Sequence, residues 1–337
     1  MADTSPADSF LVVRLGSLGD VVHTLPAVAA LHDTFPAVRI DWLIERKWLP
    51  LLASNPALGS PVPLDRGLSG TLSAVRTLRR NAYTCVIDLQ GLYKSALFSF
   101  FSGAPRRIGF DRASSRESGA ALFYTQHVSP SAPHIIDQFL SVAAAAGALI
   151  GPVRFPLAIP EPAQLEIARR LAGQGITDYL VVSPGGGWRS KCWPPERYGE
   201  LCRTLEHERG LRAVVNFGPG EAPLAGAVCR AAVPASPVCF ETDIPQLMAL
   251  LTRARLVVAA DTGPLHLAVA LGAPVVALFG PTNPRRNGPY SAADVVVQNA
   301  ALSENTHHRG REFAASMLSI SVEQVLAAVA VRLERAR

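Results

Sequence analysis

Charge is scarce in this chain: 18% of its 337 residues are Asp, Glu, Lys or Arg, while 49% are hydrophobic. That balance excludes extensive disorder, which needs low hydrophobicity and high charge. Cysteine is scarcer still. The five residues, Cys85, Cys192, Cys202, Cys229 and Cys239, are scattered, odd in number and form no C-x-x-C pair. Reduced thiols are therefore expected, and no metal site is indicated. Long apolar runs are missing too. The longest candidate, residues 265–280, is broken by Gly272 and Pro274 and falls short of the roughly 20 residues a spanning helix needs. The start, MADTSPADS, is acidic and polar, where a secretory signal would be basic and then apolar. These absences predict a cytoplasmic protein with residues 1–9 as a disordered leader. Nucleic-acid motifs are also lacking, so the net charge of +5 leaves a phosphorylated substrate or an anionic membrane surface as its readings.

What is present is a repeating pattern of short apolar runs and helical segments. Residues 10–15 (FLVVRL) read as a buried parallel strand ending at Gly16. A helix follows over residues 21–34, then strands at 39–44 and 85–89, and a helix from about Lys94. The pattern restarts with a strand at 179–183 and a helix at 195–209. Strands at 213–217, 256–260 and 275–279 then alternate with helices at 244–253 and 264–271. Strands alternating with helices predict an α/β chain with parallel, doubly wound sheets. The length suits two domains. The Pro-rich segment 151–161 marks the join, giving domains at 1–155 and 156–320. Residues 321–337 read as a terminal amphipathic helix with Ser321 as its N-cap.

Three motifs sit at strand ends, where open α/β sheets bind ligands. The first is Gly16-Ser17-Leu18-Gly19-Asp20. Its glycines permit close backbone approach, but it is neither a dinucleotide fingerprint nor a P-loop. Asp20 is either a helix-capping carboxylate or a ligand-facing one. The second is Asp261-Thr262-Gly263-Pro264-Leu265-His266, which opens a helix and would present N–H groups and a hydroxyl to a diphosphate. His266 is either a ligand contact or a packing histidine. The third runs from Ser183 through Gly185, Gly186 and Gly187 to Arg189 and Lys191. Glycines followed by cations suit a phosphate; the other reading is a flexible loop. Such a layout fits group transfer from a phosphorylated donor, and equally a sugar-nucleotide epimerase.

At these residues the chain resembles glycosyltransferase family 9, the lipopolysaccharide heptosyltransferases. The resemblance rests on LGSLGDVVHTLPA at 15–27, VIDLQGLYKSAL at 86–97, SKCWPPERY at 190–198 and DTGPLHLAVALGAPVVALFGPTNP at 261–284. It implies the GT-B fold, two Rossmann-like domains facing across a cleft, with an N-terminal acceptor domain and a C-terminal nucleotide-sugar domain. It implies inverting transfer of heptose from ADP-heptose, with no metal or other cofactor. Asp20 would be the general base. Lys191 would stabilise the leaving diphosphate. Ser183, Gly185, Gly186, Lys191, Asp261, Thr262, Gly263 and His266 would hold the donor. The segment Gln90–Ser95, and Arg116-Glu117 ahead of Leu122-Phe123-Tyr124, look more like the type I enzymes, which act on Kdo of the inner core. A Kdo-lipid A acceptor would meet Gly19, Lys94 and Arg116, with Arg106, Arg107 and Arg112 nearby, at the inner face of the membrane. The three glycines of the lysine loop depart from the type I pattern, so Ser183 and Ser190 would supply the hydroxyls there. Residues 299–317 show no periodicity, and His307, His308 and Arg309 read as solvated loop. The alternatives are a family member with another donor or acceptor, and a non-catalytic nucleotide-sugar binding protein.

Overall fold

The computed structural model describes residues 9–299, 310 and 312–335. The expected leader, Ser9 apart, and the loop residues His307, His308 and Arg309 lie outside them. Ser9 itself is buried as the first residue of a strand. The chain divides into two compact units, Met1–Ala158 and Ile159–Arg337.

The first unit runs β1 (Ser9–Val13), α1 (Leu18–Thr34), β2 (Arg39–Glu45), α2 (Leu49–Leu52), β3 (Pro61–Leu64), α3 (Gly67–Asn81), β4 (Cys85–Asp88), α4 (Tyr93–Phe101), β5 (Arg106–Phe110), β6 (Gln126–Val128) and α5 (Ile135–Ala145). Its six strands lie in the order β3-β2-β1-β4-β5-β6. Every pairing is parallel. All five residues of β1 are buried, as expected of a central strand covered on both faces.

The second unit runs α6 (Glu161–Gly173), β7 (Tyr179–Ser183), α7 (Pro195–Arg209), β8 (Arg212–Phe217), α8 (Ala222–Ala231), β9 (Val238–Glu241), α9 (Ile244–Thr252), β10 (Leu256–Ala260), α10 (Gly263–Ala270), β11 (Val275–Leu278), α11 (Pro284–Asn287), β12 (Val295–Val297), α12 (Ala315–Leu318) and α13 (Val322–Glu334). Its sheet order is β12-β11-β10-β7-β8-β9, again parallel throughout. Counted from its own first strand, this is the order of the first sheet. In each unit the order reverses between two central strands: β1 and β4 in one, β7 and β10 in the other. In open sheets the crevice beyond the carboxyl ends of such a pair is where ligands bind.

Helix α13 belongs to the second unit's core. Val322, Val325, Ala328 and Val329 are buried in the core cluster of that unit, with the helix packed on β11, β12 and α7. Ser321 caps the helix, accepting from the Gln324 amide at 3.3 Å. Its last turn is tied down by a buried pair, Arg332 Nε to Asp294 Oδ1 at 2.8 Å, and the same oxygen accepts from the Val275 amide at 3.0 Å. Breaking a buried pair strands one charge. Arg332→Ala is therefore expected to lower unfolding free energy by about 3–5 kcal/mol, read by urea titration. Arg332→Met with Asp294→Leu should recover most of that loss; a single variant as stable as the parent would remove the pair from the fold's support.

Candidate active site

The first unit's switch point carries an ion pair. Residues 14 and 15 leave β1, and Ser17 opens α1, so Asp20 sits in the helix's first turn and not ahead of it. The helix begins earlier than its apolar periodicity suggests, because Ser17 and Asp20 close a capping box. The Asp20 carboxylate is doubly engaged. Arg14 Nη2 lies 2.6 Å from Oδ1, while the Ser17 amide at 3.0 Å and the Ser17 hydroxyl at 3.1 Å donate to Oδ2. Burial alone would raise the Asp20 pKa. The Arg14 charge, the Ser17 amide and His23 outweigh it and hold the carboxyl at about 2. Arg14 is itself buried. Its Nη1 donates to the Leu89 carbonyl beyond β4 at 2.6 Å, and its guanidinium lies 5.3 Å from the Phe139 ring centroid. The Leu15 amide is bound by Gln90 Oε1 at 2.7 Å. The ends of β1 and β4 are thus laced together around one carboxylate. Gly19 is buried beside it, and Gly16 passes so close under the Trp48 indole that a Cβ there would lie 2.6 Å from Nε1.

Lys94 and Arg116 stand together at the neighbouring strand ends, after β4 and β5. Gly91, at φ +65°, turns the chain so that a Cβ would meet the Arg116 amide at 3.3 Å. Glu117 N–H donates to the Gly91 carbonyl at 3.0 Å, and the Glu117 carboxylate accepts from the Tyr93 amide at 2.6 Å. Both cationic side chains are exposed. Arg106 and Arg107 are committed elsewhere: Arg106 to Gln126 and the Ala145 carbonyl, Arg107 to the Phe123 and Ala104 carbonyls.

The second unit's switch point holds a three-membered network. Lys191, at the end of a 3₁₀ turn (Arg189–Lys191), places Nζ 2.6 Å from Asp261 Oδ2 and 4.5 Å from the Trp188 ring centroid. His266 Nε2 lies 3.0 Å from Asp261 Oδ1. Burial opposes the Asp261 charge, but His266 and Lys191 overcome it and hold this carboxyl well below the usual carboxylate range. Thr262 is the N-cap of α10. Its hydroxyl donates to the Ala260 carbonyl at 3.1 Å, leaving the helix N-terminus without a side-chain cap. Gly185 and Gly186 are pressed close: a Cβ on Gly186 would lie 2.9 Å from Thr262 Cγ2, and one on Gly185 would collide with the Glu221 carboxylate. The hydroxyls of Ser183, Ser190 and Thr282 are buried with no hydrogen-bond partner among the described residues. Buried polar groups without partners are rare in folded proteins; Ser183 closes β7, Ser190 lies in the loop after it, and Thr282 follows β11.

Of the expected ionic residues, Asp20 falls at the first switch point and Lys191, Asp261 and His266 at the second, with Ser183, Gly185, Gly186, Thr262 and Gly263 around the second; Lys94 and Arg116 lie apart from both networks. Two residues outside the expected set join them. Arg14 was detectable as the one charge inside the apolar run FLVVRL. Glu221, whose Oε2 accepts from the Gly218 amide at 2.9 Å, follows the turn Gly218-Pro219-Gly220 that ends β8.

Known proteins of similar sequence and fold place the chain in a family. The family model described as glycosyltransferase family 9 (heptosyltransferase) matches residues 71–315. The lipopolysaccharide heptosyltransferase 1 of Pseudomonas aeruginosa is 32% identical over 301 residues, covering 85% of this chain and 82% of that one. The lipopolysaccharide core heptosyltransferase OpsX of Haemophilus influenzae is 28% identical over 306 residues, covering 87% and 85%. Among solved structures, the family 9 glycosyl transferase of Veillonella parvula superposes with a TM-score of 0.83 at 22% identity, covering 97% of each chain. The ADP-heptose lps heptosyltransferase II of E. coli gives 0.77 at 22% identity, covering 97% and 99%. The paired parallel sheets are thus the GT-B architecture of these enzymes, and the chain belongs to glycosyltransferase family 9, the heptosyltransferases.

Proposed function

We propose that the chain transfers heptose, with inversion, from ADP-heptose to a Kdo residue of the lipopolysaccharide inner core. The observation that carries the reading is the pairing of chemistries at the two switch points: an ionised carboxylate in the first unit and a cationic, hydroxyl-rich cradle in the second. Oδ2 of Asp20 already accepts two hydrogen bonds, whereas Oδ1 accepts one from Arg14, so Oδ1 keeps a free lone pair. The acceptor hydroxyl gives its proton to Oδ1 as its oxygen bonds to the anomeric carbon. The bond from that carbon to the β-phosphate oxygen breaks, and ADP leaves with the electron pair. Lys191 commits one N–H to Asp261 and has two left for the leaving phosphate oxygens. The N-terminus of α10 adds positive potential. Ser183, Ser190 and Thr282 supply hydroxyls for the donor, and Glu221 can accept from its sugar hydroxyls. Lys94 and Arg116 meet acceptor carboxylates or phosphates.

Relatives named lipopolysaccharide heptosyltransferase 1 favour the type I reading on which the Kdo acceptor rests; E. coli heptosyltransferase 3 is also similar, at 28% identity. Purified protein with ADP-heptose and Kdo-lipid A is expected to give product, and to do so undiminished in EDTA, since Lys191 supplies the cationic charge at the diphosphate. Product only on an acceptor that already carries heptose would overturn the Kdo assignment. Loss of turnover in EDTA, restored by a divalent ion, would overturn the role given to Lys191.

A further inference from the structure

Helix α4 turns an apolar stripe outward as well as burying Ala96 and Phe98. An amphipathic helix normally turns its apolar face inward and its charged face to water. Here the inward face includes Ser95, Ala96, Phe98 and Ser99, while Tyr93, Leu97, Phe100 and Phe101 are exposed. The spacing puts these four on one outward stripe. The adjoining 3₁₀ turn (Ser118–Phe123) extends it: Leu122 is 75% exposed, and the Phe123 ring centroid lies 5.9 Å from that of Phe100.

Basic groups rim this stripe. Arg79 Nε donates to the Phe101 carbonyl at 2.8 Å, the Arg107 guanidinium lies 5.6 Å from the Phe100 ring centroid, and Lys94 is exposed on α4 itself. Residues 66–124 carry nine basic and three acidic side chains, an excess greater than the +5 of the whole chain. Of the three acidic groups, Asp88 is buried, and the Glu117 carboxylate is occupied by the Tyr93 amide.

We propose that this face docks on an anionic lipid surface, with the aromatic and aliphatic side chains entering the headgroup boundary and Arg79 and Lys94 meeting lipid phosphates. Large apolar side chains set flush beside cations are what an interfacial helix requires. The proposal stands on the composition of this face and not on the transfer reaction.

The test is co-sedimentation of the full chain with vesicles of phosphatidylethanolamine and phosphatidylglycerol, against phosphatidylcholine vesicles. Binding is expected to the anionic vesicles, to weaken in about 0.5 M salt, and to fall at least tenfold in the double variant Phe100→Ser, Phe101→Ser. Arg79→Gln should weaken it about fivefold. Asp20→Ala should bind like the parent, which separates this result from the fate of the transfer reading. The changed side chains are solvent-exposed, and matching thermal melts confirm that the variants are folded. Failure of the parent to bind, or equal binding by parent and double variant, overturns the proposal. So does a parent dimer in sedimentation velocity that the double variant converts to monomer with vesicle binding intact, because the face would then join two copies of the chain.

Discussion

Asp20→Asn and Asp20→Ala are expected to lower kcat by about 10²–10⁴-fold, the usual worth of a general base, with donor affinity little changed. A variant turning over near the parental rate would remove Asp20 from proton transfer. The pH dependence follows from the ion pair. The folded pKa, about 2, lies below the ordinary 3.8. The carboxylate's contribution to stability is therefore full above about pH 4 and is lost as pH falls through 2. The base is ionised throughout the neutral range, so Asp20 should give kcat/KM no acid limb near neutrality. Arg14 is the lever. Burial pushes the Asp20 pKa up, and Arg14 is the largest influence pushing it down. Arg14→Met should carry the acid limb of kcat/KM upward, while Arg14→Lys should largely keep the parental profile. An unshifted limb in Arg14→Met would show that Arg14 only fastens β1 to β4.

Lys191→Ala is expected to cost about 10²–10³ in kcat, the scale for losing one preorganised donor to a developing negative charge, and to raise KM for the donor as well. The loss should exceed what donor binding alone explains, because the diphosphate gains charge as it departs. The variant also takes the ammonium from beside buried Asp261, leaving it His266 as a hydrogen-bond partner, so stability should fall. Urea titration beside the kinetics separates the two effects. Unchanged turnover would mean that Lys191 serves only to neutralise Asp261.

The sequence was most legible where burial dominates. Strands β7 and β10 have the bounds their apolar runs predict, because central parallel strands are covered on both faces and read as unbroken apolar stretches. The outer strands of the first sheet were not legible. β3 contains Pro61 and Pro63, β5 opens on Arg106 and Arg107, and β6 is the three residues Gln126, His127 and Val128; each is too short or too polar to carry a period. The ionic residues of the site were found because glycine-rich turns at strand ends announce them. Their partners were harder. Arg14 is bound to Leu89, and Lys191 to Asp261, across some 70 residues of chain, and no local pattern records a pairing made only when two strands lie side by side. The packing of α13 was equally silent, since its apolar face would fit either unit.

The repetition of one strand order in both sheets has an evolutionary reading. Each unit completes its own switch point from its own strands, and on the proposed assignment the base belongs to one and the leaving-group cradle to the other. Changes that retune the hydroxyl being glycosylated can then accumulate before Ala158 without disturbing recognition of the activated sugar after it. Such separable inheritance would let a lineage of these enzymes diversify its acceptors while conserving its donor.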